Sequence, residues 1–550
     1  MKRGLDMKNR LLHTPDGVRD LYNGEYKKKL MIQDELHNVF MKYGCFDIQT
    51  PTFEYFDVFS NQVGTTPSKD LFKFFDKEGN TVVLRPDFTP SIARCVAKYY
   101  SPQEEPIKLC YMGNTFINSS DYQGRLKEST QCGVEFLGDG SANADAQMLA
   151  MVVDSLKAIG IHEFQISVGH AGFFSALLQE GKVDVEQEMI LRELLSNKNF
   201  LGVEAFIERL EVSDDIKQLF ALLAKFDTSS EDIKKACIWA AQYLQLAEAV
   251  AALDELNGIL KEKGIDNHVS FELGMISDYQ YYTGIIFAGY TFGHGGPIVK
   301  GGRYDKLLSH FGKDAPAIGF AFVVDQLLAA LKGTDKKEQG KYLTFALGKG
   351  RLAKKTLALF EQIGITCEEI YDPDTRKLIF VNEELKLRFF LAKGPDVPTY
   401  VEHGAADIGI VGKDTILEEG RSVYEVLDLG FGNCRMCICG PESAKELLKH
   451  QEQIRVATKY PQIAKDYFYN EKHQTVEIIK LNGSIELAPI VGLSDVICDI
   501  VETGATLREN GLMVLEEVCP LSARMIVNQV SMKMQNERIT KLIRDLKEIL

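Results

Sequence analysis

Residues 494–512 read SDVICDIVETGATLRENGL, and the rest of the chain is organised around them. Val496, Ile497, Ile500 and Val501 form a short apolar run of the kind found in a strand buried on both faces. Thr503, Gly504, Ala505 and Thr506 interrupt it, and the pattern from Leu507 onward is helical. A strand, a glycine-containing turn and a helix start gather free backbone N–H groups around one point, which suits a phosphate. Asp499 and Glu502 flank that point and suit sugar hydroxyls or a phosphate-bound Mg2+. Taken alone, the motif is equally an ordinary strand–turn–helix with surface acids.

Working outward, 550 residues suggest three or four domains, and 45% apolar with 26% charged residues is ordinary for a globular chain. Sixty-three basic against 78 acidic residues leave a net charge of −15, so nucleic-acid binding would need a local basic patch. Lys2, Arg3, Lys8 and Arg10 are followed by no apolar segment, and no window has the length of a membrane span. The expectation is a cytoplasmic chain without a signal peptide. Eleven scattered cysteines fit reduced thiols. Cys434, Cys437 and Cys439 cluster, but no second pair follows, so a buried strand is expected there and no metal centre.

The first half opens on an amphipathic stretch, Tyr26 to Met41, and then alternating apolar and aromatic residues over 44–59. TVVLRPDFTPSIARCVAKYY (81–100) reads as a strand running into a helix, and residues 107–138 as two strands joined by a polar loop. This predicts an antiparallel sheet with helices on one side. Residues 164–264 predict a helical insertion with its own small core, holding Trp239, the sole tryptophan. His162, His170 and His268 lack paired ligands and are expected to be structural.

LRPDFTPSIAR (84–94), YMGNTF (111–116) with QGRLKESTQCGVEFLG (123–138), DYQYYTG (278–284) and GGRYDKLL with APAIGFAFVVDQLL (301–328) resemble the signatures of histidyl-tRNA synthetase, a class II synthetase. The departures matter more. Where the synthetases grip the ATP α-phosphate with an Arg, Phe116 is followed by Ile117 and Asn118, and the acid two positions on is Ser119. The family's catalytic Arg falls on Ser277, and the Arg holding the ATP tail on Gln326. None of these offers a bidentate guanidinium, so amino-acid activation is not expected. An anticodon-binding domain is not recognised after this core. By resemblance, Asp87, Thr89, Gln131 and Glu135 match positions that hold histidine, with Tyr281 and Tyr282 lining the pocket. Two carboxylates facing one pocket suit an ammonium group. The pattern is similar to the regulatory subunit of ATP phosphoribosyltransferase, a histidine sensor that charges no tRNA.

Residues 332–341, KGTDKKEQGK, read as a linker. Beyond it Leu343, Phe345 and Leu347 alternate as a strand, GKGR (348–351) turns the chain, and Ala353, Leu357 and Phe360 share a helical face. Lys349 and Arg351 place two bases beside glycines that let an anion approach. VPTYVEHG (397–404) predicts a helix with His403 in its cap region, ADIGIVG (406–412) a buried strand and KDTI (413–416) a helix start, hence an α/β domain.

LGKGRL, DVPTYVEHGAADIGIVGKD, NGSIELAP and DIVETGATLRENGL together resemble the short form of the ATP phosphoribosyltransferase catalytic subunit over residues 342–550. The chain ends without the histidine-binding domain of the long form, and the short form requires the synthetase-like regulator, so a fusion of the two is expected. The implied architecture is multi-domain α/β and α+β: a class II synthetase-like domain over 1–331 with a helical insertion near 165–265, then a two-lobed periplasmic-binding-protein-like α/β domain over 342–550. The implied reaction joins ATP N1 to phosphoribosyl pyrophosphate (PRPP), giving phosphoribosyl-ATP and pyrophosphate, with Mg2+ as cofactor, histidine as inhibitor and no tRNA or membrane partner. On this resemblance Thr503, Gly504, Ala505 and Thr506 take the 5′-phosphate and Asp499 and Glu502 the ribose hydroxyls. Lys349 and Arg351 take pyrophosphate or the ATP phosphates, with Glu486, Asp414 and Arg435 as further cleft residues. Relatives with separate subunits imply a homotetramer for the fusion. The competing expectations are a non-catalytic histidine and PRPP sensor, and a true synthetase.

Overall fold

The structure, a computed structural model, describes residues 12–60, 66–119, 126–196, 199–225, 227–276, 281–334, 342–371, 377–449 and 453–550. Ser277, the start of the DYQYYTG motif and most of the expected linker lie outside the described residues; Lys332, Gly333 and Thr334 end helix Val324–Thr334 and are not linker. The chain forms two compact units, Met1–Ser196 with Gly202–Gln339, and Asn197–Leu201 with Gly340–Leu550. No described helix is long and apolar enough to cross a membrane.

The first unit is built on an eight-stranded sheet in the order Phe46–Asp47, Ile107–Phe116, Glu128–Leu137, Ala317–Val323, Val299–Arg303, Ile285–Thr291, Phe164–His170, Val269–Phe271. All inner neighbours are antiparallel, and the two short edge strands pair in parallel. The two-residue period of strand Glu128–Leu137 separates its faces. Cys132, Val134 and Phe136 enter the core beneath helices Asn23–Lys42, Ala142–Ala158 and Val324–Thr334. Gln131 and Glu135 point the other way, where Phe88, Ile92 and Val96 pack against Leu109, Tyr111 and Tyr304.

Two expectations for the insertion are corrected. Phe164–His170 is a strand of the sheet, paired along its length with Ile285–Thr291. The helices between Ala171 and Glu262 have no separate core: helix Leu244–Glu262 packs on Ala142–Ala158, so Leu253, Leu256, Leu191 and Phe220 join the core of the sheet. His170 caps helix Ala171–Glu180 by accepting the Phe173 N–H, and burial lowers its pKa to about 4. His268 stacks on Phe164 at 4.4 Å.

The second unit has two lobes, each on its own sheet. Ile379–Asn382, Leu387–Ala392, Leu343–Gly348, Ile408–Gly412, Ala523–Val527 and Tyr424–Asp428 form the first; Glu477–Lys480, Arg455–Thr458, Val496–Val501, Cys434–Gly440 and Met513–Leu521 form the second. The chain crosses between them twice, at residues 429–433 and at Ser522, and the crossings are tied by Leu429 N–H to Ala523 O and Ala523 N–H to Phe431 O, both 2.9 Å. Leu387–Ala392, Leu343–Gly348 and Ile408–Gly412 run parallel in one lobe, as do Glu477–Lys480, Arg455–Thr458 and Val496–Val501 in the other. Loops after parallel strands gather at their carboxyl ends, where open α/β sheets bind ligands. The helix after the TGAT turn starts earlier than expected: it spans Ala505–Glu509, and Gly511 then turns the chain into strand Met513–Leu521.

Gly319 fixes how closely strand Ala317–Val323 approaches the acidic pocket, since a Cβ there would lie 1.7 Å from Glu135 Oε2. Gly319→Ala is expected to lower the stability of the first unit by about 1–3 kcal/mol through overpacking; an unchanged melting temperature would show that Glu135 moves aside freely.

Candidate functional site

Two constellations emerge, one in each unit. In the first, Glu135 is 1% exposed on its strand, and Thr89, at the start of helix Thr89–Tyr99, donates its hydroxyl to Oε1 at 2.7 Å. Tyr304 donates to Oε2. Asp87 accepts the Thr89 N–H at 3.3 Å and the Tyr281 hydroxyl at 3.3 Å. Tyr281 packs against Tyr282 at 4.7 Å and Tyr304 at 5.9 Å. Burial raises the pKa of both carboxyls, Glu135 to about 8, and the nearby Asp87 adds to the rise at Glu135. Among the described residues no cation is a leading influence on either acid. Gln131 lies on the same strand face with its side-chain oxygen buried and unpartnered. All six residues of the expected histidine pocket thus border one region, and Tyr111 and Tyr304 join them. Sequence patterning could not find these two, because their role depends on strand pairing.

Two other buried acids of this unit have cations. Asp325 holds Lys29 at 3.1 Å, and Asp145 holds the Arg303 guanidinium. Ser119 Oγ and Gln326 Oε1, at two of the positions where the synthetase pattern is lost, are buried with no hydrogen-bond partner among the described residues.

In the second unit, Gly348 ends a parallel strand, Gly350 takes φ +106° and ψ −144°, open only to glycine, and helix Arg351–Gln362 follows. Lys349 and Arg351 are exposed and carry no side-chain hydrogen bond or ion pair among the described residues. At the matching edge of the other lobe, Gly504 takes φ +70°, and a Cβ on it would sit 3.4 Å from an Arg508 guanidinium nitrogen. Arg508 thus lies over the turn formed by Thr503, Gly504, Ala505 and Thr506. Its sequence signal was faint: a base one turn past the loop.

Asp499 lies on strand Val496–Val501, and Glu502 follows directly after the strand's end, in the bend that leads into the turn. Asp499 is mostly buried; desolvation raises its pKa, Glu486 adds to the rise and Lys459 opposes it. Glu502 is exposed and lies beside Cys434 together with Asp414. Arg435 is engaged with Glu517 at 2.8 Å and is not free in this state. Asp414 belongs to the first lobe and hydrogen-bonds Tyr460 of the second, whose phenol is held protonated by burial and by that acid. Alongside, Glu418 accepts the N–H groups of Gln462 at 3.0 Å and Ile463 at 3.2 Å. Helix Lys413–Glu419 therefore ties the two carboxyl edges together. Lys459 and Tyr460 were missed from sequence, where only KYP after an apolar strand marks them.

The site defines a class: a two-lobed phosphate-handling transferase carried with a class II synthetase-like unit in which Ile117, Ser277 and Gln326 replace the synthetase arginines. The histidyl-tRNA synthetase family model matches residues 17–327, and the ATP phosphoribosyltransferase family model residues 393–548. The chain is 80% identical over 210 residues to an ATP phosphoribosyltransferase of Lachnoclostridium phytofermentans, covering 38% of this chain and 98% of that one. It is 37% identical over 323 residues to an ATP phosphoribosyltransferase regulatory subunit of Acetivibrio thermocellus, covering 58% of this chain and 76% of that one. A solved regulatory subunit/histidyl-tRNA synthetase from Bacillus halodurans superposes with a TM-score of 0.54 at 30% identity, over 69% of this chain and 98% of that one. The chain belongs to the ATP phosphoribosyltransferase family of histidine biosynthesis, as a fusion of a synthetase-like regulatory part and a catalytic part.

Two outcomes test this geometry. Glu135 is raised from 4.5 to about 8, so the ligand-free fold holds a proton that the unfolded chain releases. Its contribution to stability is complete below about pH 4.5 and is lost as pH rises through about 8. The melting temperature of the ligand-free chain should decline across that window, and Glu135→Gln should flatten the decline; an identical slope in the variant would remove Glu135 as the cause. Tyr460→Phe, which deletes a hydrogen bond to a charged acceptor worth about 1.5–3 kcal/mol, should cost roughly tenfold or more in kcat/KM while the chain stays folded. Wild-type kinetics would show that the bond does not order the site.

Proposed function

We propose that the second unit transfers phosphoribosyl from PRPP to ATP N1 in a cleft between periplasmic-binding-protein-like lobes, and that histidine bound in the first unit lowers that rate. The observation that carries the reading is the pair of buried acids, Asp87 and Glu135, with no leading cation partner among the described residues. An α-ammonium placed there would supply the missing charge. Feedback then follows if histidine binds one of two arrangements of the chain more tightly. Homotetramer assembly and a cytoplasmic setting belong to the same reading, with no tRNA as partner.

In the transfer, adenine N1 attacks the anomeric carbon as the bond to pyrophosphate breaks. N1 already has its lone pair, so the residues position and neutralise; none needs to act as a strong base. The amides of Thr503–Thr506, with Arg508 above them, would hold the 5′-phosphate. Asp499 and Glu502 would orient the ribose hydroxyls. Lys349 and Arg351 would take phosphate charge from the leaving pyrophosphate or from ATP. Arg435 would first have to leave Glu517. Asp414, held by Tyr460, sits at the edge of the cleft where the adenosine would lie. Asp499 and Glu486 form a hard-oxygen pair whose mutual repulsion a divalent cation would relieve, which fits Mg2+. When bound, Mg2+ supplies charge neutralisation for the pyrophosphate.

Asp499→Ala and Arg351→Ala should each lower turnover of ATP and PRPP by about 100-fold or more without unfolding the chain; near-normal turnover in either would strike that residue from the site. Histidine binding should release protons near pH 7, because an ammonium beside Glu135 favours its ionised form. Calorimetry in buffers of different ionisation enthalpy reads this directly, and a buffer-independent heat would place histidine elsewhere.

A further inference from the structure

On the first unit, away from the acidic pocket, helix Asn23–Lys42 ends at Tyr43 and Gly44 takes φ +77°, with the Cys45 N–H bonded back to Phe40 O at 3.2 Å. This turn folds strand Phe46–Asp47 alongside the helix it has just left, bringing His37 next to Asp47. The strand pairs in parallel with Ile107–Phe116, opposing Asp47 to Cys110. Cys45 and Asp47 share one strand face, as do Lys108 and Cys110 on the neighbour. His37 Nε2 lies 2.8 Å from Asp47 Oδ1, the Cys110 thiol donates to the same oxygen at 3.5 Å, and the three ligand atoms lie within 4.8 Å of one another. Cys45 is close enough to act electrostatically on Cys110.

We propose that His37, Asp47 and Cys110, completed by Cys45, form a zinc-class metal site that clips the edge strand to the helix and to its neighbouring strand. Metal–ligand bonds of about 2.0–2.3 Å at tetrahedral angles separate ligand atoms by roughly 3.3–3.8 Å. The Cys110–Asp47 separation of 3.5 Å is already of that size, and the His37–Asp47 pair has only to open from 2.8 Å. Sulphur, imidazole and carboxylate together select Zn2+ or a similar borderline ion over Mg2+, which takes oxygen ligands. The charges close as well. One thiolate and one carboxylate balance a divalent ion, and Lys108, which acts on Cys45, offsets a second thiolate. The site is separate from every residue placed in catalysis or histidine binding.

The test uses the full chain, stripped with chelator under reducing conditions and titrated with Co2+. One equivalent should bring visible bands of tetrahedral intensity with a thiolate-to-cobalt charge-transfer band in the near ultraviolet, and Zn2+ should bleach both. Cys110→Ser should remove most of the charge transfer. His37→Gln, at a half-exposed position where folding is not at stake, should weaken Zn2+ binding by more than the roughly 10–100-fold that loss of an outer-shell partner costs. Cys45→Ser should change the band shape, marking the fourth ligand. Turnover of ATP and PRPP should be unchanged in His37→Gln. The absence of a charge-transfer band in the wild-type chain would overturn the proposal, as would a spectrum that survives both Cys110→Ser and His37→Gln. Either result leaves a hydrogen-bonded thiol–carboxylate–imidazole trio.

Discussion

Burying a carboxylate without a cation is costly, and that cost sorts the acids of this chain into two kinds. Where a cation shares the burial, the acid holds the fold together. Asp325 with Lys29, Asp145 with Arg303, and Glu425 with Lys413 and Arg524 all tie one element to another. Burial raises the pKa even of Asp145 beside Arg303, to about 6, but where the leading partners are only hydroxyls, amides or another acid no leading cation opposes the rise. Asp87 and Glu135 are in that position in the first unit, and Asp499 beside Glu486 is close to it in the second, opposed only by Lys459. The first pair suits an amino acid's ammonium, and the second suits sugar hydroxyls and a divalent cation brought with phosphates.

Strand direction does the rest of the positioning in the second unit. Parallel strands in both lobes deliver their loops to carboxyl edges, and glycines at 350 and 504 let those loops adopt conformations that a side chain would forbid. The exposed cations Lys349, Arg351, Lys459 and Arg508 all sit on these edges. Asp414 and Glu418, reaching from one lobe to Tyr460, Gln462 and Ile463 of the other, join the edges into one site while two chain crossings carry the connection. These contacts between the lobes are made by a single short helix, Lys413–Glu419.

The periodicities that determine this fold are local, and these were legible in the sequence. Alternation at Leu343, Phe345 and Leu347, the helical spacing of Ala353, Leu357 and Phe360, and the apolar run at 496–501 each specify their element without help from elsewhere. What escaped was set by tertiary contact. The helices after Ala171 look self-contained in sequence because their apolar faces are regular, yet those faces merge with the sheet's core. The TGAT helix reads as starting at Leu507, although it begins at Ala505, within the turn. Tyr304 and Tyr111 reach Glu135 only through strand pairing, and Tyr460 meets Asp414 only because two lobes meet. Loss of the synthetase arginines at Ile117, Ser277 and Gln326 was legible from single residues, since none of these side chains can replace a guanidinium.

The central claim is that one polypeptide carries both the transferase and the sensor that restrains it. The most direct measurement is the rate of phosphoribosyl-ATP formation as histidine is titrated, in the wild-type chain and in Glu135→Gln. The account predicts that wild-type turnover falls as histidine rises, while the variant turns over equally well without histidine and needs far more of it for the same inhibition. Wild-type turnover indifferent to histidine, or equal histidine sensitivity in both chains, would contradict it.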